Sequence, residues 1–467
     1  MSAAPVPFHH ADPGTAESTW LGSPRWDDVP TLDVPALVRR YRRVVVVSAH
    51  PDDETLGVGG LLADLAAAGA TVRVLVIADG ERSHPLDDAE ARRALGARRR
   101  REVERAVEVL GPQDGITHLG LPDGSLDELE GTLVDHVTRL TDAGTLVLAP
   151  WLADGHSDHD ALGGACTKAV SGTGAGLAHY PVWLWHWGTP DSLPWPDVVA
   201  CEPSRTAAWR KRAALEEFPS QTTAWGEVDE TGRPPAPVLG RPALDRARRL
   251  VEVLVDPAHV LPTVPATSMQ GRVASRGEQF DRMYDAGEDP WEFATSFYEE
   301  RRRALLLAVL GCRRHRRVLE VGCADGRLTE ALLERSDEVV ALDTSHRAVE
   351  AARARAPKAT VVHGVAPADL PPGPFDLVVL SEVGYFLTPL ELLGTLRRCE
   401  AALAPGGELV LCHWQHPTTD VPLDGVLVHE QAFTMIRKAR RAAYVDEDLR
   451  IEVWGDAPSV AHQEGRA

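Results

Sequence analysis

The segment Ala49-His50-Pro51-Asp52-Asp53-Glu54 packs an imidazole and three carboxylates into five consecutive residues. Negative charge crowded in this way is unfavourable unless something positive compensates it. A divalent metal would do so. A second cluster, Asp154-Gly155-His156-Ser157-Asp158-His159, sets two imidazoles three positions apart beside further carboxylates. His50, Asp53 and His159 together make a set of two histidines and one carboxylate with a fourth position left for water, the open arrangement of catalytic zinc. Asp52 is adjacent and not needed as a ligand, so it can take a proton from that water. His156 can steady a developing oxyanion or protonate a leaving amine. His9, His10 and His84 stand apart from both clusters and read as surface histidines.

A third constellation lies in the other half of the chain. Val318-Leu319-Glu320-Val321 runs into Gly322-Cys323-Ala324-Asp325-Gly326. Glycines in such a turn let the backbone approach a ligand at a helix N-terminus. Asp343 closes the next apolar run, where an acidic side chain can bind ribose hydroxyls. A turn of this kind serves a dinucleotide as well as S-adenosylmethionine. The form Glu-Val-Gly-x-x-x-Gly together with Asp343 favours S-adenosylmethionine.

The elements that must position these residues follow from apolar patterning. Val44 to Val47 is a continuous β-branched run, the signature of a buried strand in a parallel sheet. Leu56 to Ala68 reads as a helix stopped by Gly69, Val72 to Ile77 as a second strand, and 88–110 as a helix ending at Gly111. Leu146 to Leu148 is another strand. Both acidic clusters therefore sit just beyond strand ends, where α/β sheets bind ligands. A second alternating pattern begins at 278, with strands at Val318–Val321, Val339–Leu342, Thr360–Val362, Leu377–Leu380 and Glu408–Leu411. The expected fold is α/β, with two Rossmann-like domains, each a mostly parallel sheet flanked by helices. Residues 1–36, rich in Pro, Ala and Asp, read as a flexible arm. The first domain spans 37–262, a linker 263–277 and the second domain 278–467. Within the first, 232–237 is a loop and 243–254 a closing helix. Trp183, Trp185 and Trp187 alternate, which places them on one face of a strand, either stacking on a sugar or packing in the core.

The bulk properties narrow the function classes. A length of 467 residues allows more than one domain. A net charge of −20 disfavours nucleic acid as a partner. The Arg98–Arg101 run reads as a solvated helix face. Six scattered cysteines with no CxxC pair fit neither a disulfide framework nor a structural zinc site. A cytoplasmic enzyme is expected, without a signal peptide or a membrane span.

The AHPDDE segment followed by the His-Ser-Asp-His element resembles the PIG-L/LmbE-like de-N-acetylases, over roughly 40–260. The resemblance implies zinc, removal of acetyl groups from N-acetylglucosamine-type amines, His50, Asp53 and His159 as ligands, Asp52 as general base and His156 as the transition-state histidine. Arg99, Glu102, the turn Leu119–Gly124, Lys211 and Ser220-Gln221 also look similar, whereas Phe218 stands where relatives often carry His. The second half resembles class I methyltransferases through the glycine turn, Phe375–Val383 and Leu403–Leu409. More narrowly, 278–430 is similar to the nodulation-factor N-methyltransferases through Phe280–Tyr284, Asp289-Pro290-Trp291, Tyr298–Arg302, Ser381-Glu382-Val383 and His413-Trp414. The candidate cofactor contacts are Glu320, Gly322, Cys323, Ala324, Gly326, Asp343, Ser381 and Glu382. The loop His363–Ala366 lacks the acid many relatives place near adenine. Tyr284 and Trp291 read either as core or as a cofactor lid, and His413 either as base or as buried structure.

These resemblances imply a bifunctional enzyme acting on a small amino sugar or glycoconjugate: zinc-dependent deacetylation, then methylation of the freed amine from S-adenosylmethionine. Deacetylation must come first, because an amide nitrogen has no free lone pair. The alternatives are methyl transfer to an oxygen or carboxylate, or a second domain that only binds cofactor.

Overall fold

The computed structural model describes residues 9–224, 236–266, 269–287, 289 and 291–466. Residues 1–8 of the expected arm, 232–235 of the expected loop, 267–268 of the expected linker and Pro290 lie outside them. The chain divides into two compact units, Met1–Ala266 and Thr267–Ala467.

The first unit is built on nine strands: β1 (Thr31–Leu32), β2 (Arg43–Ser48), β3 (Thr71–Ala78), β4 (Ile116–Leu121), β5 (Thr145–Pro150), β6 (Gly176–Tyr180), β7 (Val198–Cys201), β8 (Glu252–Val255) and β9 (Thr263–Val264). They pair in the order β4-β3-β2-β5-β6-β8-β7-β1-β9. The pairs from β4 to β6 are parallel, while β8 and β9 run antiparallel to their neighbours. The chain leaves β2 toward β3 on one side and returns to β5 on the other. The crevice between β2 and β5 is therefore the topological switch point, where open α/β sheets bind ligands. Val44, Val45, Val46 and Val47 are buried on both faces of the sheet, as their unbroken β-branched run demands.

The second unit has seven strands: β10 (His315–Val321), β11 (Ser336–Asp343), β12 (Thr360–His363), β13 (Phe375–Ser381), β14 (Leu403–Trp414), β15 (Arg440–Val445) and β16 (Leu449–Gly455). Their order is β12-β11-β10-β13-β14-β16-β15. Its switch point lies between β10 and β13. The first four pairs are parallel, and β16 runs antiparallel to both its neighbours. Both units are thus α/β with mostly parallel sheets. No helix among the described residues is long and apolar enough to cross a membrane. All six cysteines are free.

Several local expectations are corrected. The described part of the arm is packed structure: a helix spans Glu17–Leu21, β1 pairs with β7 and a helix spans Val34–Arg40. Trp20 and Trp26 are 0% and 3% exposed. Trp20 donates its indole N–H to the Trp185 carbonyl at 2.9 Å, an anchor from a distant segment that Pro/Ala/Asp content cannot reveal. The expected linker contains β9, paired with β1, and the helix Met269–Ala286 begins within it. The segment 243–254 splits into a short helix Arg241–Ala247 and the antiparallel strand β8. Trp185 and Trp187 lie on the helical turn Leu184–Trp187, with Trp183 at its N-cap. The buried Asp154 carboxylate accepts the N–H groups of Val182, Trp183 and Leu184 at 2.8–2.9 Å, which winds that backbone into a turn.

Because Trp20 is an interior side chain, Trp20→Ala is expected to destabilise the first unit by about 3–5 kcal/mol. Urea unfolding of the full chain would measure this. A change below about 0.5 kcal/mol, as for an unpacked surface residue, would contradict the packed arrangement.

Candidate active sites

The loop after β2 leads into the helix Asp53–Ala67, and the loop after β5 leads into the helix Ser157–Thr173. Two short connections at one switch point thus bring both acidic clusters together. His50 Nε2 lies 3.1 Å from both Asp123 Oδ1 and Asp158 Oδ2. Its other nitrogen, Nδ1, faces Asp53 Oδ2 at 3.6 Å. His159 repeats the pattern: Nδ1 meets Asp154 Oδ2 at 2.7 Å, and Nε2 faces Asp53 Oδ1 at 3.3 Å. Each imidazole is therefore steered by a carboxylate on one nitrogen and presents the other toward Asp53, the way outer carboxylates orient metal-ligating histidines.

The donor set fits a metal ion. His159 Nε2 is buried without a hydrogen-bond partner, a state that a cation between it and Asp53 would relieve. Nitrogens of His50, His156 and His159 also lie within 4.8 Å of one another, as do His50 Nε2 and oxygens of Asp123 and Asp158. Two observations favour His50, Asp53 and His159 as the holding set. His156 Nδ1 accepts the Asp158 N–H at 3.3 Å. Asp53 accepts a backbone N–H, from His50 at 2.8 Å, as Asp123 and Asp158 accept theirs, but of these three carboxylates it is the one that faces both His50 and His159.

The two candidate catalytic groups flank this set. Asp52 has φ +132, a conformation that strains a side-chain-bearing residue and that surrounding structure must hold in place. Its carboxylate meets the buried Arg99 at 3.1 Å, and Arg99 also bonds the Pro51 and Gly80 carbonyls. Arg99 thus turns inward, against the expectation of a wholly solvated Arg98–Arg101 face. Burial pushes Asp52 up to about 7, with Arg99 opposing and Asp53 and Glu54 reinforcing the rise. His156 is pushed down to about 3, by burial first and then by His159 and His50. With Nδ1 accepting, its proton sits on Nε2. A cavity of about 420 Å3 opens on His50, Asp52, Asp53 and His156.

Other residues fall in supporting places. Ser220 donates to Glu102 at 2.5 Å and Gln221 lines the cavity. Lys211 pairs with Glu252 at 2.7 Å, and Glu252 accepts the Gly60 and Leu61 N–H groups of the helix Asp53–Ala67. Phe218 is wholly core, and His84 is buried rather than at the surface. Sequence reasoning gave no role to Asp123, Asp154 and Asp158. The last two stood inside the second cluster, and the turn holding Asp123 had been singled out.

In the second unit, a cavity of about 450 Å3 is lined by Glu320, Gly322, Cys323, Ala324, Asp343, Ser381 and Glu382. Gly322 has φ +80, and a Cβ there would lie 2.1 Å from Val383. Gly326 does not line the cavity. It lets the helix His346–Arg355 pack close, since a Cβ would fall 2.7 Å from Ala352 Cα. Asp343 accepts the Ala324 and Ser345 N–H groups at 2.9 Å, fixing the turn to the end of β11. Glu320 accepts from Thr329 at 2.6 Å, and burial pushes its carboxyl up to about 8. Arg302, absent from the expected contacts, donates to Ser381 and to Glu299. Glu382 accepts from Tyr385 at 2.5 Å and from the Trp414 N–H at 2.9 Å.

Tyr284 and Trp291 line this cavity, with ring centroids 5.2 Å apart. His413 is the buried structural residue. Its Nε2 accepts the Gly384 N–H at 3.1 Å, and its Nδ1 meets His429, which in turn meets Glu452 at 2.7 Å. Burial, then His429 and Arg302, hold His413 well below the usual imidazole range.

The two switch-point sites belong to a deacetylase domain and a methyltransferase domain carried in one chain. Residues 45–170 match the family "GlcNAc-PI de-N-acetylase", and residues 318–407 match the family "Methyltransferase domain". The chain is 44% identical over 84 residues to a 1D-myo-inositol 2-acetamido-2-deoxy-alpha-D-glucopyranoside deacetylase of Corynebacterium glutamicum, covering 17% of this chain and 28% of that protein. It is 33% identical over 136 residues to nodulation protein S of Bradyrhizobium diazoefficiens, covering 27% of this chain and 62% of the relative. It thus spans less than two thirds of either curated relative. The solved N-methyltransferase NodS from Bradyrhizobium japonicum, in complex with S-adenosyl-L-homocysteine, is 22% identical with a TM-score of 0.35, over 39% of this chain and 98% of that one.

For a zinc ion held between Asp53 and the two imidazoles, Asp154→Asn would weaken binding by about 10–100-fold, since it loosens His159. Isothermal titration of the full chain with zinc would measure this, with circular dichroism to verify the fold. Unchanged affinity would show that His159 does not face the metal.

Proposed function

We propose that the first unit removes the acetyl group from an N-acetylglucosamine-type amino sugar and that the second methylates the amine so freed. The observation that carries the reading is the gap between His50, Asp53 and His159, each imidazole held by carboxylates on its far side, within a deacetylase-family domain. Zinc held there would polarise the acetamide carbonyl and acidify water. Asp52, pinned by Arg99, takes the proton of the attacking water. His156, with its proton on Nε2, hydrogen-bonds the carbonyl oxygen as charge develops, and the proton taken up by Asp52 passes to the nitrogen as it leaves. The sugar deacetylases among the relatives support an amino-sugar substrate.

In the second unit, S-adenosylmethionine on the glycine turn would supply the methyl group. The turn Gly322–Ala324 offers its backbone, and Asp343 holds it in place. Ser381 and Glu382 reach the same cavity from the end of β13, and Arg302 braces Ser381. The Glu382 carboxylate suits an amine acceptor, and nodulation protein S among the relatives supports one. Glu320 lies beneath the turn, bonded to Thr329, where it supports the strand end. Positioning supplies most of the rate in such a displacement. Joining both units in one chain raises the effective concentration of the intermediate. The six free cysteines support a reducing, cytoplasmic setting.

Purified protein supplied with zinc, S-adenosylmethionine and N-acetylglucosamine derivatives is expected to give products that lose acetyl and then gain methyl, read by mass spectrometry. Deacetylation with no methyl gain, even when the free amine is supplied, would assign the second unit another acceptor or cofactor binding alone.

A further inference from the structure

Residues 9–21 precede the sheet in the chain, yet they are fastened to its distant parts. Glu17 forms a two-point ion pair with Arg249, at 2.6 and 2.7 Å, with both side chains buried. The Arg249 guanidinium in turn lies 4.2 Å from the Trp185 ring centroid. The Thr15 N–H donates to the His186 carbonyl at 2.8 Å, and the Thr15 hydroxyl donates to the Gly188 carbonyl at 2.5 Å. His186 Nε2 donates to the His9 carbonyl at 3.0 Å. Gly14, at φ +64, lets the chain pass where a Cβ would lie 2.6 Å from His186 Nδ1. This path delivers His9 and His10 to the wall of the cavity that holds His50, Asp53 and His156.

The strap is thus fixed at several points before it reaches the cavity, and buried charge pairing makes those points costly to release. His9 and His10 pack ring against ring, with centroids 4.2 Å apart, and Asp12 accepts the His9 N–H at 2.8 Å. Among the described residues, the His10 imidazole has no hydrogen-bond partner, and it lines the cavity beside His9. A neutral imidazole offers one donor and one acceptor, the complement of a sugar hydroxyl.

We propose that this strap is a specificity wall of the deacetylase cavity, in which His10 contacts the part of the amino sugar beyond the reacting acetamido group. The inference rests on the deacetylase reading above. The substrate class it selects is an amino sugar carrying a hydroxyl-bearing substituent, such as a second sugar ring, in preference to the bare monosaccharide. His10 acts on recognition rather than on the reacting atoms, so its removal is read mainly in KM.

The test compares deacetylation of N-acetylglucosamine and N,N′-diacetylchitobiose by wild type, His10→Ala and His10→Trp, all as full-length zinc-loaded protein. The ratio of kcat/KM for the two substrates is expected to shift by at least about 5-fold in one or both variants, through KM for the disaccharide. An active wild type whose ratio stays within about 2-fold in both variants would overturn the wall and leave the deacetylase reading intact. A shift in kcat shared equally by both substrates would also overturn it. A wild type inert toward both would overturn the deacetylase reading and the wall with it.

Discussion

Six carboxylates, from Asp52, Asp53, Glu54, Asp123, Asp154 and Asp158, are buried at the switch point of the first sheet. Arg99 brings a guanidinium to this group, and it is directed at Asp52. Buried negative charge must be neutralised by protons, hydrogen bonds or a cation. Backbone N–H groups hold Asp123, Asp154 and Asp158. Ser48 and Thr55 hold Glu54. Asp53 has two imidazoles opposite it, each aimed by a carboxylate on its far side. The rest of the first unit can be traced from that requirement: the strained turn at Asp52, the helical turn wound on Asp154, and the loop after β4 that brings Asp123 to His50.

Both units place chemistry by the same device. A central parallel strand ends, the chain turns sharply into a helix, and the neighbouring strand across the switch point adds a second group. In the first unit these are the loops after β2 and β5. In the second they are the glycine turn after β10 and Ser381-Glu382 after β13. The difference is in what the turn offers. Carboxylates and imidazoles fill the first, whereas the second offers bare backbone, which Gly322 keeps accessible by having no side chain to meet Val383.

Those parts of the site whose chemistry is local were legible in the sequence. A His-Pro-Asp-Asp-Glu run after four valines can be read because strand, turn and ligand set are contiguous. The glycine turn is legible for the same reason. Contacts between distant segments were not. Asp123 reaches His50 from another loop, and Arg99 was hidden in a run of four arginines that only the fold divides into inward and outward members. The Trp183-Leu184-Trp185-His186-Trp187 pattern fits a strand by alternation, and its helical turn depends on Asp154, far back in the chain. The N-terminal segment looked unstructured by composition. Its order comes from Trp20 and Glu17, whose partners Trp185 and Arg249 lie far along the sequence. His413 was read as base or as structure, and only its burial against His429 decides it.

The central claim is that two chemistries act on one nitrogen in a fixed order. It is tested most directly with Asp52→Asn, which keeps a side chain for Arg99 to bond while removing the base. Deacetylation is expected to fall by about 10²–10⁴-fold. Given S-adenosylmethionine, the variant should still methylate the free-amine sugar while leaving its N-acetylated form untouched, as read by mass spectrometry. Methyl transfer to the acetylated sugar, or failure of both the variant and the wild type to methylate the free amine, would contradict the account.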